Sequence, residues 1–532
     1  MKIFKILITL IVILAGGLAV NAKDTPVIAD KIEYMNLDWW KQFNDENLNK
    51  YMLFAYENNK DLKIAAAETK QAQQVVKLSF SDQLPQLKIS GQVGREFSGA
   101  TTRFGDLVIP DYSQSRFFLP LTMTYELDIW GENYLKTKSI KQRLEMIKQD
   151  ERASYIMITT ALASNYYNLI KADKLIENQT KLVDLQTEIV KLYDTKYKGG
   201  LCSVNEVLFE KQLLTMFKED LNNLKEKQDV LENQLKVILG DRNLTSIDRS
   251  TYDTVKLIDF PMDIQSVAIQ NRPDLIKSEF YIKKLGLDVK VARRDFLPKF
   301  LVFGQVGFNA YQLSDVFGSH TFLSNLGVMP SFDLFAGGRK MAMFRYKKYE
   351  YQKALQIYEK TILTSLQEVN DALVSSKTAR KNLEASRERF EIEQNKYELA
   401  DKKFNIGAAS NLDMIKAKEA LIISEKSHVS NTIDTIISAI NIYKSVGGVD
   451  YMQFEEALSL AGKGELITRP GYGVSFAAIR EGRAVYGHFI GETGFADVRA
   501  YVFTDEDKSA ADWERFARVL PDAWEGCDVP NG

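Results

Sequence analysis

Between Gln86 and Phe97 apolar and polar residues alternate, with Leu87, Ile89, Gly91, Val93 and Phe97 set against Gln86, Lys88, Ser90, Gln92 and Glu96. A period of two predicts a β-strand, whose successive side chains point to opposite faces. The alternation resumes from Phe118 to Ile129, where Leu119, Leu121, Met123, Tyr125, Leu127 and Ile129 share one face. That suits a tilted transmembrane strand of roughly 9–11 residues. A second pair is predicted further on, first at Phe300, Val302, Val306 and Phe308, then at Leu326, Val328, Phe332 and Leu334. Polar, glycine-containing loops at about 98–115 and 311–322 join the strands of each pair. Elsewhere the apolar period becomes three-and-four, which predicts helices. The stretches from about Asn133 to Lys198 and from about Arg339 to Asn405 contain no proline. Each could extend on the order of 100 Å at about 1.5 Å per residue, so these helices must pack along one another as a coiled coil or helical barrel. Turns are expected at Gly199-Gly200 and Gly407, with return helices starting from Ser203 and Ser410. Pro85 and Pro298 end the helices that precede the first strand of each pair.

The pattern is written twice. "LPQLKISGQVG" at Leu84–Gly94 returns as "LPKFLVFGQVG" at Leu297–Gly307. Upstream, "NNKDL" at Asn58–Leu62 answers "QNRPDL" at Gln270–Leu275. Downstream, "YELDIWG" at Tyr125–Gly131 answers "SFDLFAGG" at Ser331–Gly338, and "YKGGLCSVNEVL" at Tyr197–Leu208 answers "FNIGAASNLDMI" at Phe404–Ile415. Four blocks in one order predict an internal duplication, with copies at about 39–240 and 255–450. Four strands cannot close a barrel, and an open sheet edge is not tolerated in hydrocarbon. Several chains must therefore share one barrel.

The 532 residues, 45% hydrophobic and 26% charged, can bury a large core. A net charge of -2 without a basic stripe argues against nucleic acid as a partner. The opening "MKIFKILITLIVILAGGLAVNAKD" has two lysines, an apolar run and Val20-Asn21-Ala22, the features of a secretory signal peptide over 1–22. No cysteine follows that run, so no lipid anchor is expected there. Two cysteines, Cys202 and Cys527, exclude a disulfide scaffold, and His320, His428 and His488 show no metal-ligand spacing. No catalytic or nucleotide fingerprint is present, so neither an enzyme nor a cofactor is implied.

Together these features resemble the TolC-like outer-membrane efflux protein family. The phrases that carry the likeness are "LDWWKQFNDENLN", "NNKDLKIAAAETKQAQ", "NRPDLIKSEF", "ARRDFLPKF", "FDLFAGGR" and "YKSVGG", spread from about Trp39 to Gly448. The resemblance implies a mixed α and β membrane protein: a homotrimer with a 12-stranded outer-membrane β-barrel, four strands per chain, continued by a long periplasmic α-helical barrel. The opening is closest to the branch serving resistance-nodulation-division pumps. The implied function is the exit duct of a tripartite efflux or type I secretion system in a Gram-negative outer membrane. Its partners would be outer-membrane lipid, a periplasmic adaptor and an inner-membrane pump. The duct proper would span 23–455. Residues 456–532 extend beyond the family's usual end, where two or three strand-like runs and then a helix over "SAADWERFARVL" suggest a small α+β module, either a fused accessory domain or a chimeric reading frame. A periplasmic coiled-coil scaffold or adaptor without a pore is the alternative.

The same resemblance points to a gate where the helix turns converge. Asp413 matches the family's gate aspartate and Glu206 is its counterpart in the first copy, while Gly199, Gly200, Ser203, Gly407 and Ser410 form the turns on which an adaptor would dock. Ser203-x-x-Glu206 and Ser410-x-x-Asp413 also fit a capping box, and the two roles are compatible. Phe404 and Ala409 stand where the best-known family latch has a tyrosine and an arginine, and Lys416 replaces a second acid. Lys416 would then either dilute the acidic ring or pair with Asp413. Phe97, Phe117, Phe118, Phe308 and Tyr311 are candidate membrane-interface aromatics, with plain packing the other reading.

Overall fold

The structure, a computed structural model, describes residues 39–98, 112–241, 243–257 and 272–448, and beyond these only the backbone of short strands. The segment expected to be a signal peptide lies outside the described residues. A turn of 3-10 helix at Trp39–Phe43 leads to helix α1 (Glu46–Asn58), which Asp45 caps by accepting the Leu48 N–H at 3.0 Å. Asn59 does the same for α2 (Lys60–Ser81), accepting from Leu62 at 2.9 Å. Strands β1 (Gln86–Ile89), β2 (Gln92–Ser98), the two-residue β3 (Arg103–Phe104) and β4 (Leu107–Val108), and β5 (Tyr112–Leu127) follow. Then come α3 (Glu132–Lys198) and α4 (Val204–Leu239). The order recurs as α5 (Pro273–Arg294), β6 (Lys299–Ala310), β7 (Phe322–Ser331), α6 (Arg339–Asn405) and α7 (Asn411–Ser445). Both long helices, α3 and α6, have 67 residues.

The membrane-strand candidates form one antiparallel sheet in which β5 pairs with β1 and β2 on one side and with β6 on the other, and β6 pairs with β7. Although β1 and β2 are separate strands, they share one register: Ile89 pairs with Leu121 and Gln92 with Phe118. The break sits at Ser90, whose N–H donates to Pro120 O at 3.1 Å. Proline has no N–H to return, so one ladder bond is missing and the strand is interrupted without slipping. Pro120 also explains a glycine of the repeated phrase. It faces Gly307 across β5 and β6, where a Cβ would lie 2.3 Å from Leu119 O and 2.7 Å from Pro120 Cα.

Two strand limits differ from expectation. β5 begins at Tyr112, inside the expected loop, and β7 runs from Phe322 to Ser331, so Phe332 and Leu334 lie beyond it. After Ser331 the chain turns towards α6: Lys340 pairs with Asp333 at 3.2 Å, and Gly337 and Gly338 take φ of 58° and 80°. The alternation in "SFDLF" continues past the point where the hydrogen-bonded ladder stops.

Helices α3 and α4 pack side by side, as do α6 and α7, while α3 also meets α2, α5 and α7. The main core gathers where these elements meet. Trp39, Trp40 and Phe43 of the opening turn pack with Leu48 and Met52 of α1, Tyr166 and Tyr167 of α3, Leu239 of α4 and Ile436 and Tyr443 of α7. Trp39 stacks on Tyr443 with ring centroids 4.4 Å apart. Tyr166 donates to the Asp45 carboxylate at 3.0 Å and accepts the Ser250 N–H at 3.1 Å. Burial raises its pKa to about 12. The heads of α2 and α5 are fastened by one device used twice. Asn59 Nδ2 donates to Ile238 O at 2.6 Å beside Gly240, and Arg272 Nη1 donates to Ser445 O at 2.5 Å beside Gly447. Both glycines have positive φ, and a Cβ would lie 2.5 Å from Asn58 O at Gly240 and 2.7 Å from Arg272 Cα at Gly447.

The two long helices are buried unequally. Of the residues of α6 only Ala354, Ser365, Val369, Ser376 and Ser386 are buried, whereas most turns of α3 carry buried positions. Among the described residues no helix is long and apolar enough to cross a membrane. Beyond Gly448, β8 (Ile467–Thr468), β9 (Ser475–Arg480), β10 (Arg483–Ile490), β11 (Gly494–Ala500) and β12 (Glu514–Arg515) form a second antiparallel sheet in the order β11-β10-β9-β8-β12. The helix expected over "SAADWERFARVL" is corrected at Glu514 and Arg515, which pair as a strand with Thr468 and Ile467. That partner is remote in sequence, so local spacing carries no trace of it.

The sheet supplies a packing test. Gly307→Ala should cost about 1–3 kcal/mol, because the new methyl meets backbone rather than a movable side chain. Gly304→Ala should be nearly neutral, since its nearest neighbours, Leu326 and Met123, lie 3.5 and 3.6 Å away. Denaturation of the two variants in detergent should rank them in that order; equal stabilities would contradict the close approach at Pro120.

Candidate functional site

Two surfaces carry the candidate chemistry: the faces of the four-strand sheet and the turns between paired helices. In an antiparallel pair, residues directly opposite share a face. The register therefore puts Leu87, Ile89, Val93 and Phe97 on the same side as Phe117, Leu119, Leu121, Met123 and Tyr125. It adds Phe300, Val302, Val306 and Phe308 of β6, then Phe322, Leu326 and Val328 of β7. This apolar face is open: Val93 is 76% and Leu326 75% exposed. The opposite face carries Lys88, Glu96, Arg116, Thr122, Thr124, Glu126, Gln305 and Asn309. There the Arg116 guanidinium bridges three strands, meeting Glu96 at 3.2 Å and Asn309 Oδ1 at 3.1 Å.

The candidate aromatics divide between these faces. Phe97, Phe117 and Phe308 lie on the apolar side, and the Phe308 ring meets Phe317 and Phe322 edge-on at 5.5 and 6.0 Å. Tyr311 follows the end of β6 and is exposed. Phe118 is corrected: as the neighbour of Phe117 in one strand it faces the polar side, where the Arg116 guanidinium lies 5.3 Å from its ring centroid.

The turns between helices repeat atom for atom. α3 ends in a Schellman motif, with Gly200 N–H donating to Tyr197 O at 2.9 Å and Leu201 N–H to Lys196 O at 2.8 Å. α6 ends in another, from Gly407 to Phe404 O at 2.9 Å and from Ala408 to Lys403 O at 2.8 Å. Gly200 and Gly407 both have φ of 74°, the left-handed geometry this motif requires, while Gly199 keeps a right-handed φ of -82°. Each return helix then opens on a complete capping box. The Glu206 carboxylate accepts the Ser203 N–H at 2.8 Å and its Oγ–H at 2.9 Å, and Asp413 accepts those of Ser410 at 3.1 and 2.6 Å. Both acids are exposed and are held below the ordinary carboxylate value, Glu206 chiefly by the Ser203 N–H and Asp413 chiefly by the Ser410 hydroxyl. Lys196 adds to both shifts, so one lysine is within electrostatic reach of the two acids.

Lys416 makes its close contacts elsewhere, although its charge helps hold the Asp413 pKa down. Its Nζ is 3.3 Å from the Tyr193 hydroxyl, 5.5 Å from that ring's centroid and 3.8 Å from Glu210 Oε1. Burial opposes its charge, but Tyr193 and Glu210 outweigh that and keep its pKa above the ordinary lysine value. Glu210, itself buried, also accepts from Gln186 Nε2 at 2.7 Å. Behind the turns, then, Gln186 and Tyr193 of α3, Glu210 of α4 and Lys416 of α7 are linked. Sequence reasoning missed three of the four; the only local signal was Glu210, one helical turn after Glu206.

A family model described as outer membrane efflux protein matches residues 54–241 and 264–448. The toluene efflux pump outer membrane protein TtgC of Pseudomonas putida is 26% identical over 433 residues, 79% of this chain and 86% of that one. The cation efflux system protein CusC of Escherichia coli O157:H7 is 22% identical over 423 residues, 78% of this chain and 89% of that one. The Campylobacter jejuni CmeC outer membrane channel superposes with a TM-score of 0.71 at 24% identity, over 78% of this chain and 88% of that one, a likeness of fold.

Removing both caps tests the turns. In Ser203→Ala with Ser410→Ala, backbone amides at 203–206 and 410–413 should exchange about fivefold faster or more, with the core of Trp39 and Tyr443 unaffected. The pH dependence has a definite sign. A carboxyl whose pKa is lowered on folding stabilises above its unfolded pKa, and that contribution is lost as pH falls through the folded one. Protection of the parent turns should therefore persist through mildly acid pH and fail only below the ordinary carboxylate range. Loss near neutral pH would show that Glu206 and Asp413 are not what holds them.

Proposed function

The chain belongs to the outer membrane efflux protein family and is an outer-membrane protein with a large periplasmic part, and on that premise we propose that it is the passive exit duct of a tripartite efflux or type I secretion system. The observation that carries the reading is the sheet, with one face apolar in its middle, the other holding nearly all the charges beside Leu301, Phe303, Leu323 and Met329, and both edges, β1/β2 and β7, unpaired among the described residues. Unpaired strand edges are not viable in hydrocarbon, and a second copy offers the missing partner for each. Three chains of four strand positions each give a 12-stranded barrel with a polar lumen. In the same assembly the exposed apolar side chains of α6, such as Tyr349, Leu363 and Val374, find neighbours in a helical tube. The recurring element order reflects a duplicated unit, two copies per chain, followed by a small module at 456–532.

In this arrangement the turns at Gly199-Gly200 and Gly407 form the periplasmic end and dock an adaptor that connects to an inner-membrane pump. Glu206 and Asp413 ring the entrance, and Lys416 lies behind them, held by Tyr193 and Glu210. A narrow ring of carboxylates concentrates negative potential and favours cations. Relatives are named for toluene and for cations, and the cargo of this duct is a solute chosen by size and charge.

Single-channel recording of the purified oligomer tests the reading. The parent should pass small cation-selective currents, and Glu206→Gln with Asp413→Asn should lower the selectivity or raise the resting conductance. Because both acids titrate low, selectivity should survive mild acidification and be lost only below the ordinary carboxylate range. Unchanged currents in the variant would leave the acids as caps alone, and the absence of any channel would favour a scaffold without a pore.

A further inference from the structure

Arg95 is the single charged residue on the apolar face of the sheet among the described strands. Its register partner is Ser115, and its side-chain neighbours on that face are Val93 and Phe97. Every other charge on these strands, Lys88, Glu96, Arg116, Glu126 and Lys299, falls on the polar face. The guanidinium is exposed and shaped by its surroundings: Nε–H donates to Ser113 Oγ at 3.0 Å, and the group lies 5.5 Å from the Phe97 ring centroid. Among the described residues one donor is thereby used, and a guanidinium has five. Among the described residues no carboxylate stands on this face to answer it, and a second copy of β7 at the β2 edge would offer Phe322, Ser324, Leu326, Val328 and Pro330 there.

Its depth is fixed by the strand. From Leu87, beside the helices, to Arg95 is eight residues, which at about 3.3 Å each along a strand tilted by about 40° is roughly 20 Å of membrane normal. That places Arg95 at the far rim of an apolar band about 25 Å tall, on the side away from the periplasmic helices, where a buried charge costs little and headgroups begin. Arginine suits phosphate there, because its planar fork is weakly hydrated and bonds phosphate in pairs.

We propose that Arg95, held by Ser113 and Phe97, binds the phosphate of an anionic lipid headgroup in the outer leaflet. The occupant is a lipid rather than a free anion because the site opens onto the apolar face, where acyl chains cover Val93, Leu119 and Leu121. The inference rests on the barrel reading above. Native mass spectrometry of the full-length oligomer, exchanged into bis-phosphorylated lipid A or its dephosphorylated form, tests it. Arg95→Gln should lower retention of the phosphorylated lipid about tenfold, Arg95→Lys should lose part of it, and neither should change retention of the phosphate-free lipid. Excess inorganic phosphate should not displace the lipid. Equal retention by Arg95→Gln, or displacement by inorganic phosphate, overturns the site. Conductance of the same preparations separates the two readings: a working channel with unchanged lipid retention defeats this site alone, whereas no channel in the parent defeats the barrel and the site together.

Discussion

A peptide group in hydrocarbon has no water to turn to, and that constraint organises this molecule. It explains why β5, the longest strand, sits inside the sheet and why proline appears where its missing N–H interrupts one ladder bond without shifting the register. It also bears on β1/β2 and β7, which among the described residues each present a row of backbone groups without a partner strand.

The helical part meets a different demand, that of holding two 67-residue helices against partners along their length. The solution is to anchor them at a few dense places. Trp39, Trp40 and Tyr443 fill one core, and the matched contacts of Asn59 with the end of α4 and of Arg272 with the end of α7 fix where each strand-bearing helix starts. The Arg272 version is the more charged, being clamped also by Asp274 and Glu368 at 2.6 Å each. Equivalent positions have thus been given the same mechanical task with different side chains.

Much of the architecture was legible in the sequence because it is written in local signals. Glycine at 199–200 and 407, then Ser-x-x-Glu or Ser-x-x-Asp, located the ends of α3 and α6 to within a residue or two. Alternation located the strands, and even the polar parity of Phe118 was visible in it, although grouping aromatics by type obscured this. Strand ends were less legible, since Tyr112 and Phe322 belong to strands by virtue of partners across the sheet. The partners of Lys416 were hidden for the same reason: Tyr193 lies more than two hundred positions away, and only folding brings α3 beside α7. The need for glycine at 307 depends on a proline in another strand, which no reading of one segment supplies.

The helix turns have one consequence outside stability. Their Schellman bonds and capping boxes are closed entirely from within, each turn drawing its donors and acceptors from its own few residues. A surface finished before any partner arrives has little conformational entropy left to lose on contact, so a contact made there over small apolar areas such as Leu201 and Ile406 would cost little ordering.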